Sequence, residues 1–294
     1  MPVQVTVISG KGGTGKTTVT ASLGMFFNHP TFADCDVDAS NLHLLLKPEV
    51  KEKKPYSGHK FPVVDESACV ACGACETYCR FNAVSMREHA AIDPTACEAC
   101  GVCVAVCPAG AISLVERPCG EVYVSDTAYG PMVHARLDPG VGTAGKLVTM
   151  VREEAIKVAG EDGIVLIDGP PGIGCPVIAS LAGADIALLV VEPTVSGYSD
   201  FKRAMEVVRR FKARPCVCIN KYDLNEPYSK MIESYCGQSG VPVIGKIPYE
   251  RKIFDCLSQG RIPVSCAGKE IRGLYRQMYD NLYKLIEKVR SENQ

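Results

Sequence analysis

The chain has 294 residues, a net charge of −1 and an ordinary globular composition, with 47% hydrophobic and 22% charged residues. This length suits one large domain with a smaller one, and the composition excludes a disordered chain. A net charge near zero provides no excess of positive charge to attract nucleic acid. No apolar run reaches the roughly 18 residues of a membrane span. We therefore expect neither a nucleic-acid partner nor stable membrane insertion.

The first elements form a strand–turn–helix–strand unit. Val3–Ile8 predicts a buried strand that opens the chain, with no basic region or cleavage site of a signal peptide before it, so we expect a cytoplasmic protein. A Gly-rich turn leads into a predicted helix at Thr17–Phe27, and Thr31–Cys35 predicts the second strand. Residues 47–60, rich in Lys, Pro and Gly, predict a linker, and a cysteine-rich unit follows at about 58–118.

The rest of the chain alternates between strands and helices. Further strands are predicted at Glu121–Val124, Met132–Leu137, Ile164–Ile167, Ala184–Val191, Cys216–Ile219 and Val241–Ile244, and helices at Thr143–Ala159, Tyr198–Phe211 and about 269–290. One face of the last helix is expected to carry Ile271, Leu274, Met278, Leu282, Leu285 and Val289 and to cover the sheet. This alternation predicts an α/β fold whose parallel sheet is covered by helices on both faces.

The cysteine-rich unit contains the run C-x-x-C-x-x-C-x-x-x-C twice. The copies are Cys69, Cys72, Cys75 and Cys79, then Cys97, Cys100, Cys103 and Cys107. This is the spacing of bacterial ferredoxins with two [4Fe–4S] clusters, in which the fourth cysteine of each run ligates the other cluster. The predicted ligand sets are therefore Cys69, Cys72, Cys75 and Cys107 for one cluster, and Cys97, Cys100, Cys103 and Cys79 for the other. Since a unit of about 60 residues has little apolar core, the clusters are expected to act as its core.

Two structural zinc sites are the alternative for these cysteines. Zinc prefers two separated pairs of ligands to a tight triplet plus one, so the pattern favours iron–sulfur clusters. One departure from many ferredoxins is Arg80, which follows Cys79 where proline is common. With thiolates bound to metal, we expect a reducing compartment rather than a disulfide framework.

A phosphate loop of the form G-x-x-x-x-G-K-T lies between the first strand and the first helix. The residues predicted to bind nucleotide here are Gly10, Gly12, Gly13, Thr14, Gly15, Lys16, Thr17 and Thr18. Backbone N–H groups at the helix N-terminus would hold the phosphates. Lys16 would reach the β- and γ-phosphates, and the Thr17 hydroxyl would bind Mg²⁺.

A second lysine in this loop, Lys11, occurs together with Asp36-Val37-Asp38 and with Asp168-Gly169-Pro170-Pro171-Gly172. This combination resembles the deviant-Walker ATPases of the MinD, Mrp and nitrogenase-iron-protein superfamily, and most closely the MinD-type ATPases with an inserted ferredoxin domain. The resemblance spans essentially the whole chain. It implies a P-loop ATPase domain formed by residues 1–57 and 119–294, with a small α+β ferredoxin-like domain inserted at 58–118.

The resemblance also implies roles for individual residues. In that superfamily the nucleotide is held between two subunits, so a nucleotide-dependent homodimer is expected. The residue matching Lys11 crosses to the partner's phosphates, and the residue matching Asp38 positions or activates the attacking water. Asp36 and Asp168 match groups of the Mg²⁺ shell, and Gly172 matches the glycine that senses the γ-phosphate.

A candidate base-binding segment is Asn220-Lys221-Tyr222-Asp223, which looks like the N-K-x-D motif of GTPases. In MinD-like proteins the matching Asn220 usually meets adenine, so ATP is favoured over GTP. Pro248 and Tyr249 match the loop that closes over the base.

Cys175 lies seven residues after Asp168, the spacing of a cluster cysteine in nitrogenase iron protein. The segment Asp138–Lys146 also resembles that protein, but Thr143 stands where the other cluster cysteine would be. We hypothesise that two Cys175 thiolates of a dimer hold a transient metal or labile cluster, and the alternative is a buried cysteine at a helix start. Cys216 and Cys218, two apart on a strand, are expected to fill the core.

The leading hypothesis is an ATPase whose hydrolysis is coupled to electron transfer through two [4Fe–4S] clusters to a partner protein. A carrier or maturation factor for metal clusters, acting on a client protein, is the second. A regulatory ATPase whose clusters sense redox state is the third. The expected cofactors are two [4Fe–4S] clusters, ATP and Mg²⁺.

Overall fold

The structure is a computed structural model that describes residues 1–58, 60–138 and 144–292. Its strands are β1 (Val3–Ser9), β2 (Thr31–Asp34), β3 (Glu49–Tyr56), β4 (Lys60–Val64), β5 (Val84–Met86), β6 (Ala90–Ile92), β7 (Ile112–Glu116), β8 (Gly120–Thr127), β9 (Gly130–Leu137), β10 (Ile164–Pro171), β11 (Ile186–Val191), β12 (Arg214–Asn220) and β13 (Val243–Ile247).

The described residues form eleven helices, and seven of them (α2, α3, α4, α6, α8, α9 and α10 in the list that follows) were not predicted from the sequence pattern. The helices are α1 (Lys16–Gly24), α2 (Leu42–Leu46), α3 (Ala74–Thr77), α4 (Val102–Ala105), α5 (Ala144–Ala159), α6 (Cys175–Leu181), α7 (Val195–Val208), α8 (Glu226–Gln238), α9 (Arg251–Ser258), α10 (Pro263–Cys266) and α11 (Lys269–Glu292). Helix α7 begins three residues before the predicted start because the Thr194 hydroxyl accepts a hydrogen bond from the Gly197 N–H and caps the helix. Thr143, the predicted start of the helix now seen as α5, lies outside the described residues.

The main sheet has nine strands in the order β13-β12-β11-β1-β10-β2-β9-β8-β3. The seven strands from β13 to β9 are parallel, as predicted. Strands β8 and β3 are antiparallel, so the expectation of a parallel sheet is wrong at this edge. The two predicted strands 121–124 and 132–137 form a hairpin, because only the two residues Ala128 and Tyr129 connect β8 to β9.

The predicted linker at 47–60 is also corrected, because residues 49–56 form the edge strand β3. Every residue of β3 before Lys54 is exposed, and only Tyr56 is buried, so the strand lacks the alternation by which sequence patterns reveal strands. Its lysines and Pro55 suit an edge that must not pair with other chains. Strands β3 and β8 pair along their length and together form the stem from which residues 57–119 extend.

The core lies on both faces of the main sheet. Along β11, Ile186, Leu188 and Val190 face one layer, and the alternating residues face the other. Helices α1, α10 and α11 cover the first face, and α5 to α8 cover the second. Cys216 and Cys218 lie in the first layer, which confirms that they fill the core.

Helix α11 covers the sheet as predicted and contacts β13 and α1. Its most buried residues include Tyr275 and Ile286, in place of the expected Leu274 and Leu285, which are only partly buried. The apolar stripe is thus displaced by one residue at these two positions. Within the described part of the chain, no helix is long and apolar enough to cross a membrane.

The segment between the stem strands contains two short hairpin-like sheets and two one-turn helices. Strand β4 pairs with β7, and β5 pairs with β6, while α3 contacts α4. Among the described residues, its main hydrophobic cluster has Cys75, Val84, Ala90 and Ile112 as buried members, and Ala83 and Ala111 are buried as well. Most of the remaining core side chains are partly buried and include further cysteines.

One pair of cysteines departs from the expectation that no thiols are bridged. Cys256 of α9 and Cys266 of α10 form a disulfide, with their Cα atoms 6.1 Å apart. They lie ten positions apart in the chain. The bond joins α9 to α10, and neither helix was predicted from the sequence.

Candidate functional site

The phosphate loop between β1 and α1 depends on close backbone contacts. A Cβ at Gly10 would lie 2.4 Å from the backbone of Asp200 in α7, so a larger residue would separate the loop from that helix. Gly13 and Gly15 have φ angles of 78° and 95°, which favour glycine. A Cβ at Gly15 would also lie 2.4 Å from the Asn220 amide nitrogen. The predicted loop therefore lies in the strand-to-helix context that a phosphate site requires.

Lys16, the first residue of α1, is buried among three carboxylates. Burial lowers the pKa of its ammonium group, while Asp168, Asp36 and Asp34 oppose that shift in this order. A buried cation surrounded by acidic groups at a helix N-terminus is suited to phosphate and a divalent cation. The structure therefore brings together the predicted residues Lys16, Asp36 and Asp168.

Asp34 is a further candidate residue, which the sequence analysis missed. It is the last residue of β2, is fully buried, and pairs in strand register with Asp168 of β10. Burial and then the charge of Asp168 raise the pKa of Asp34 to about 8. The sequence did contain a signal for Asp34, namely a charged residue at the carboxyl end of an apolar strand. It was overlooked because the neighbouring Asp36-Val37-Asp38 already matched the expected motif.

Asp168 is also buried, and burial raises its pKa to about 6, although a hydrogen bond from Thr17 and the charge of Lys16 lower it. Its Oδ1 accepts a hydrogen bond from the Thr20 hydroxyl at 3.3 Å. Its Oδ2 and the Thr14 hydroxyl are buried with no hydrogen-bond partner among the described residues. Two unsatisfied buried oxygens beside a buried lysine fit a site that is completed by a cation and phosphate.

Asp38, in contrast, is exposed and does not join this cluster directly. Asp36 is half-buried, and burial is the largest cause of its raised pKa, while Lys16 opposes the shift and Asp38 adds to it. Asp36 thus interacts electrostatically with both Lys16 and Asp38 and lies between them. The predicted catalytic role of Asp38 stays a prediction.

Lys11 is held within its own subunit at the start of α7. Its Nζ lies 3.4 Å from the Glu192 carboxylate and contacts the hydroxyls of Thr194 and Ser196 at 3.1 and 3.3 Å. Glu192 also binds the Lys221 ammonium at 3.3 Å. Lys11 is therefore anchored beside the phosphate loop, near a surface that includes Val195, which is 69% exposed.

The other predicted nucleotide contacts surround the loop. The Gly172 N–H donates to the Ser9 carbonyl at 2.9 Å, which places Gly172 directly beside the loop. Asn220 is buried, and its side-chain amide N–H donates a hydrogen bond to the Thr14 carbonyl at 2.7 Å. Asn220 therefore contacts the phosphate loop directly. Tyr249 is exposed and its N–H donates to Asp223 at 2.7 Å. Gly12 and Thr18 lie in the same loop and first helical turn, and Pro248 precedes Tyr249.

Two small apolar cavities lie in the cysteine-rich segment. The first is lined by Cys69, Cys72, Cys75 and Cys107, and the second by Cys79, Cys97, Cys100 and Cys103. Each set has three cysteines from one run and the fourth from the other run. Those are the two ligand sets predicted from the sequence.

The backbone around the two cavities repeats closely. Ala71 and Ala99 have φ angles of 51° and 49°, and Gly73 and Gly101 have 74° and 78°. The Ala83 N–H donates to the Cys79 sulfur at 3.4 Å, and the Ala111 N–H donates to the Cys107 sulfur at 3.3 Å. Hydrogen bonds to sulfur are among the features that tune iron–sulfur sites.

Among the described residues, no three His, Cys, Asp or Glu side chains converge as they would around a single metal ion. A cubane cluster binds its four thiolates at four different irons, so its ligands lie farther apart than those of one ion. The assignment of these cysteines to iron–sulfur clusters rather than to zinc stays a prediction.

Cys175 is exposed at the first position of α6, so the alternative of a buried cysteine at this helix start is wrong. A Cβ at Gly145 of α5 would lie 3.6 Å from the Cys175 Cβ, so the two helix starts are close together. Residues 139–143 of the segment that resembles nitrogenase iron protein lie outside the described residues. The metal-binding hypothesis for Cys175 stays a prediction.

A P-loop nucleotide-binding domain is the class that this fold and this site define. The chain belongs to the CobQ/CobB/MinD/ParA nucleotide-binding-domain family, whose sequence profile matches residues 5–264.

Known proteins of similar sequence and fold agree with this assignment. A Methanocaldococcus jannaschii protein, MJ0578, is 34% identical over 94% of this chain and 96% of its own. The septum site-determining protein MinD of Pyrococcus horikoshii, solved with Mg-ADP, has a TM-score of 0.58 and 18% identity, and covers 98% of this chain and 99% of its own. The MinD of the MinC:MinD cell division protein complex of Aquifex aeolicus has a TM-score of 0.57 and 19% identity, over 96% of each chain.

Proposed function

We propose that the protein is a dimeric ATPase whose nucleotide state controls a unit with two [4Fe–4S] clusters that transfers electrons to a partner protein. One observation carries this proposal. The stem strands β3 and β8 extend the same sheet in which β2 ends at Asp34, so the cysteine-rich segment is joined by hydrogen-bonded strands to the phosphate site. Strand β9 alone separates β2 from the stem.

In the ATPase part, Lys16 and the loop amides bind the phosphates, and the buried carboxylates lie where a cation would be held. Thr17, Asp168 and Asp36 would hold Mg²⁺, which neutralises phosphate charge when bound. The unsatisfied Oδ2 of Asp168 supports this role. The MinD of Pyrococcus horikoshii was solved with Mg-ADP, which favours an adenine nucleotide here.

Lys11 supplies the link to a second subunit. In the monomer it is neutralised by Glu192, and we propose that in the dimer it leaves this carboxylate for the partner's γ-phosphate. Asp36 and Asp38 would orient the attacking water between Lys16 and solvent. Gly172, hydrogen-bonded to Ser9 beside the loop, would report the γ-phosphate to β10.

In the cysteine-rich part, the ligand sets are those of the two cavities. Clusters held there would supply one-electron transfer at a low to moderate potential. The exposed Val70, Phe81 and Val102 lie beside the cluster cysteines and leave the cavities close to the surface.

Anaerobic reconstitution tests this proposal. The expected protein holds about eight irons, binds Mg-ATP, and changes from monomer to dimer with a non-hydrolysable analogue. Size-exclusion chromatography with iron and nucleotide quantification measures all three. Full iron content without nucleotide uptake or a change in association would contradict the proposal.

A carrier or maturation factor is the second candidate, favoured by the exposed Cys175. Labelled iron bound to the protein would then move to an iron-free acceptor in the presence of ATP. A Cys175→Ser variant should lose this transfer while keeping the iron of the two cysteine runs. Unchanged transfer and iron content in that variant would remove this candidate role of Cys175.

A further inference from the structure

A row of side chains crosses the sheet from the phosphate site to its antiparallel edge. In strand register, Tyr123 of β8 pairs with His134 of β9 and with Lys53 of β3. Between β9 and β2, Val133 pairs with Ala33, so the next residues along these two strands are His134 and Asp34. We call these four residues, Asp34, His134, Tyr123 and Lys53, the transverse row.

The members of the transverse row nearest the stem are in contact. The rings of Tyr123 and His134 stack with centroids 4.9 Å apart and an interplanar angle of 17°. The Lys53 ammonium lies 5.5 Å from the Tyr123 ring centroid. Such stacked and cation–π contacts join β9 to both strands of the stem.

Ser40 and His43 join the row to the nucleotide site. The His43 ring, on α2, stacks on His134 with centroids 6.2 Å apart and an interplanar angle of 14°. The Ser40 hydroxyl donates to Asp34 Oδ2 at 2.6 Å and lies 3.5 Å from His43 Nδ1. A serine hydroxyl has one proton to donate, so Asp34 and His43 are alternative acceptors for it.

His134 has a feature that packing alone does not explain. Its Nδ1 is buried and has no hydrogen-bond partner among the described residues. Burial, followed by the charge of His43, lowers the pKa of His134 to about 4, so the ring is neutral. A buried ring nitrogen without a hydrogen-bond partner is costly in either tautomer, and phenylalanine would fill the same space without that cost.

We propose that His134 is a positioning residue that couples the phosphate-site carboxylate Asp34 to the stem that carries the cysteine-rich segment. A cation held by Thr17, Asp168 and Asp36 attracts the neighbouring Asp34 carboxylate, and the Ser40 hydroxyl then turns to His43 Nδ1. The new hydrogen bond shifts the His43 ring, and the ring stack from His43 through His134 to Tyr123 passes this shift to the stem. The biological purpose of this coupling rests on the proposed function, but the movement itself requires only nucleotide binding.

Hydrogen exchange of the stem amides in β3 and β8 tests the inference. The full-length protein is compared with and without Mg²⁺ and a non-hydrolysable ATP analogue. We expect the analogue to change stem exchange rates by about fivefold or more, the size of an ordinary allosteric coupling. The His134→Phe variant should fold, bind the analogue and hydrolyse ATP as the wild type does, but lose this difference.

The His134→Phe variant distinguishes coupling from packing, because a purely structural ring would be replaced without loss. His29→Asn, an exposed histidine at a turn with φ of 55°, is the matched control and should keep the full difference. The inference is overturned if the wild type shows no difference, or if His134→Phe keeps it.

Failure of the inference and failure of the proposed function give different results. A protein that lacks iron but shows the stem response would refute the iron–sulfur proposal and leave the inference standing. A protein that holds iron and hydrolyses ATP, but whose stem ignores the analogue, would refute the inference alone.

Discussion

The phosphate site and the cysteine-rich segment are built in opposite ways. Lys16, Asp34 and Asp168 are held by a nine-stranded sheet with thick apolar layers on both faces. In the described part of the cysteine-rich segment the hydrophobic cluster is small, and one of its buried members, Cys75, also lines a cavity. The first site is formed by packing before any ligand arrives, whereas the proposed function requires that the second gain most of its core from bound clusters.

This difference separates two kinds of energetic dependence. Nucleotide binding uses a preformed site, so changing one of its residues alters affinity or rate without unfolding the domain. A metal-dependent segment gains folding free energy from its metal, so changing one ligand alters the structure itself. The predictions below test this contrast from the largest expected effect to the smallest.

The largest effect is expected for Cys103→Ser. Loss of one cluster ligand should unfold much of residues 60–116, because so little apolar core remains. Hydrogen exchange should show lost protection there, while the phosphate site, which has its own core, stays folded and still binds nucleotide.

Cys175→Ser is the matched control, because this exposed thiol lies outside both cavities. It should leave the protection of residues 60–116 intact. A Cys103→Ser protein with full iron content and unchanged protection would contradict the contrast between the two regions.

The second effect concerns Lys11 and turnover. Lys11→Ala should reduce kcat for ATP by about 10³-fold, as loss of a catalytic cation supplied by a partner does, and should leave nucleotide affinity nearly unchanged. Steady-state kinetics and binding measurements separate the two quantities. Lys221→Ala removes the other ammonium bound by Glu192 and should reduce kcat far less. Equal losses in both variants would argue against a crossing role for Lys11.

The third effect concerns Lys16 and affinity. Lys16→Ala removes a charge-assisted contact to phosphate, worth roughly 1.5–3 kcal/mol, so the Kd for ATP should rise about 10- to 150-fold. Calorimetric titration measures it, and the exposed Lys212→Ala should bind as the wild type does. An unchanged Kd in Lys16→Ala would show that the phosphates bind elsewhere.

The smallest effect concerns Asp34 and pH. The pKa of Asp34 is raised to about 8 and that of Asp168 to about 6, so the folded state holds more protons than the unfolded state between about pH 4 and 8. The stability of the nucleotide-free protein should therefore fall as pH rises through this window. Asp34→Asn should flatten the fall and stabilise the protein at pH 8 by about 1–3 kcal/mol.

Denaturant melts at several pH values measure the Asp34 effect, and the exposed Asp126→Asn is the control. With Mg-nucleotide bound, the wild type should be more stable than Asp34→Asn, because the ligand stabilises the ionised carboxylates of the wild type more than those of the variant. If Asp34→Asn destabilised the nucleotide-free protein at pH 8, the two carboxylates would not repel each other as described.

The parts of the molecule that the sequence predicted are those with local signals. Gly15, Lys16 and Thr17 are adjacent in a loop whose strand and helix flank it. The rule for two-cluster ferredoxins grouped Cys107 with the first run, and Cys107 lines the first cavity with those cysteines. Edge strand β3 was missed because it is exposed on both faces and shows no alternation.

Long-range contacts account for the other omissions. The interaction of Lys11 with Glu192 joins residues 181 apart, and the register of Asp34 with Asp168 depends on how β2 pairs with β10. No local pattern encodes such pairings. The stacking of His134 on His43 likewise arises only when α2 packs on the sheet.

The most direct test of the account is the reduction potential of the anaerobically reconstituted protein with and without a non-hydrolysable ATP analogue and Mg²⁺. We expect the potential to shift by about 40 mV or more, since a coupling of 1–3 kcal/mol corresponds to roughly 40–130 mV for one electron. A protein with about eight irons and bound analogue, but with the same potential in both states, would contradict the claim that the two regions are coupled.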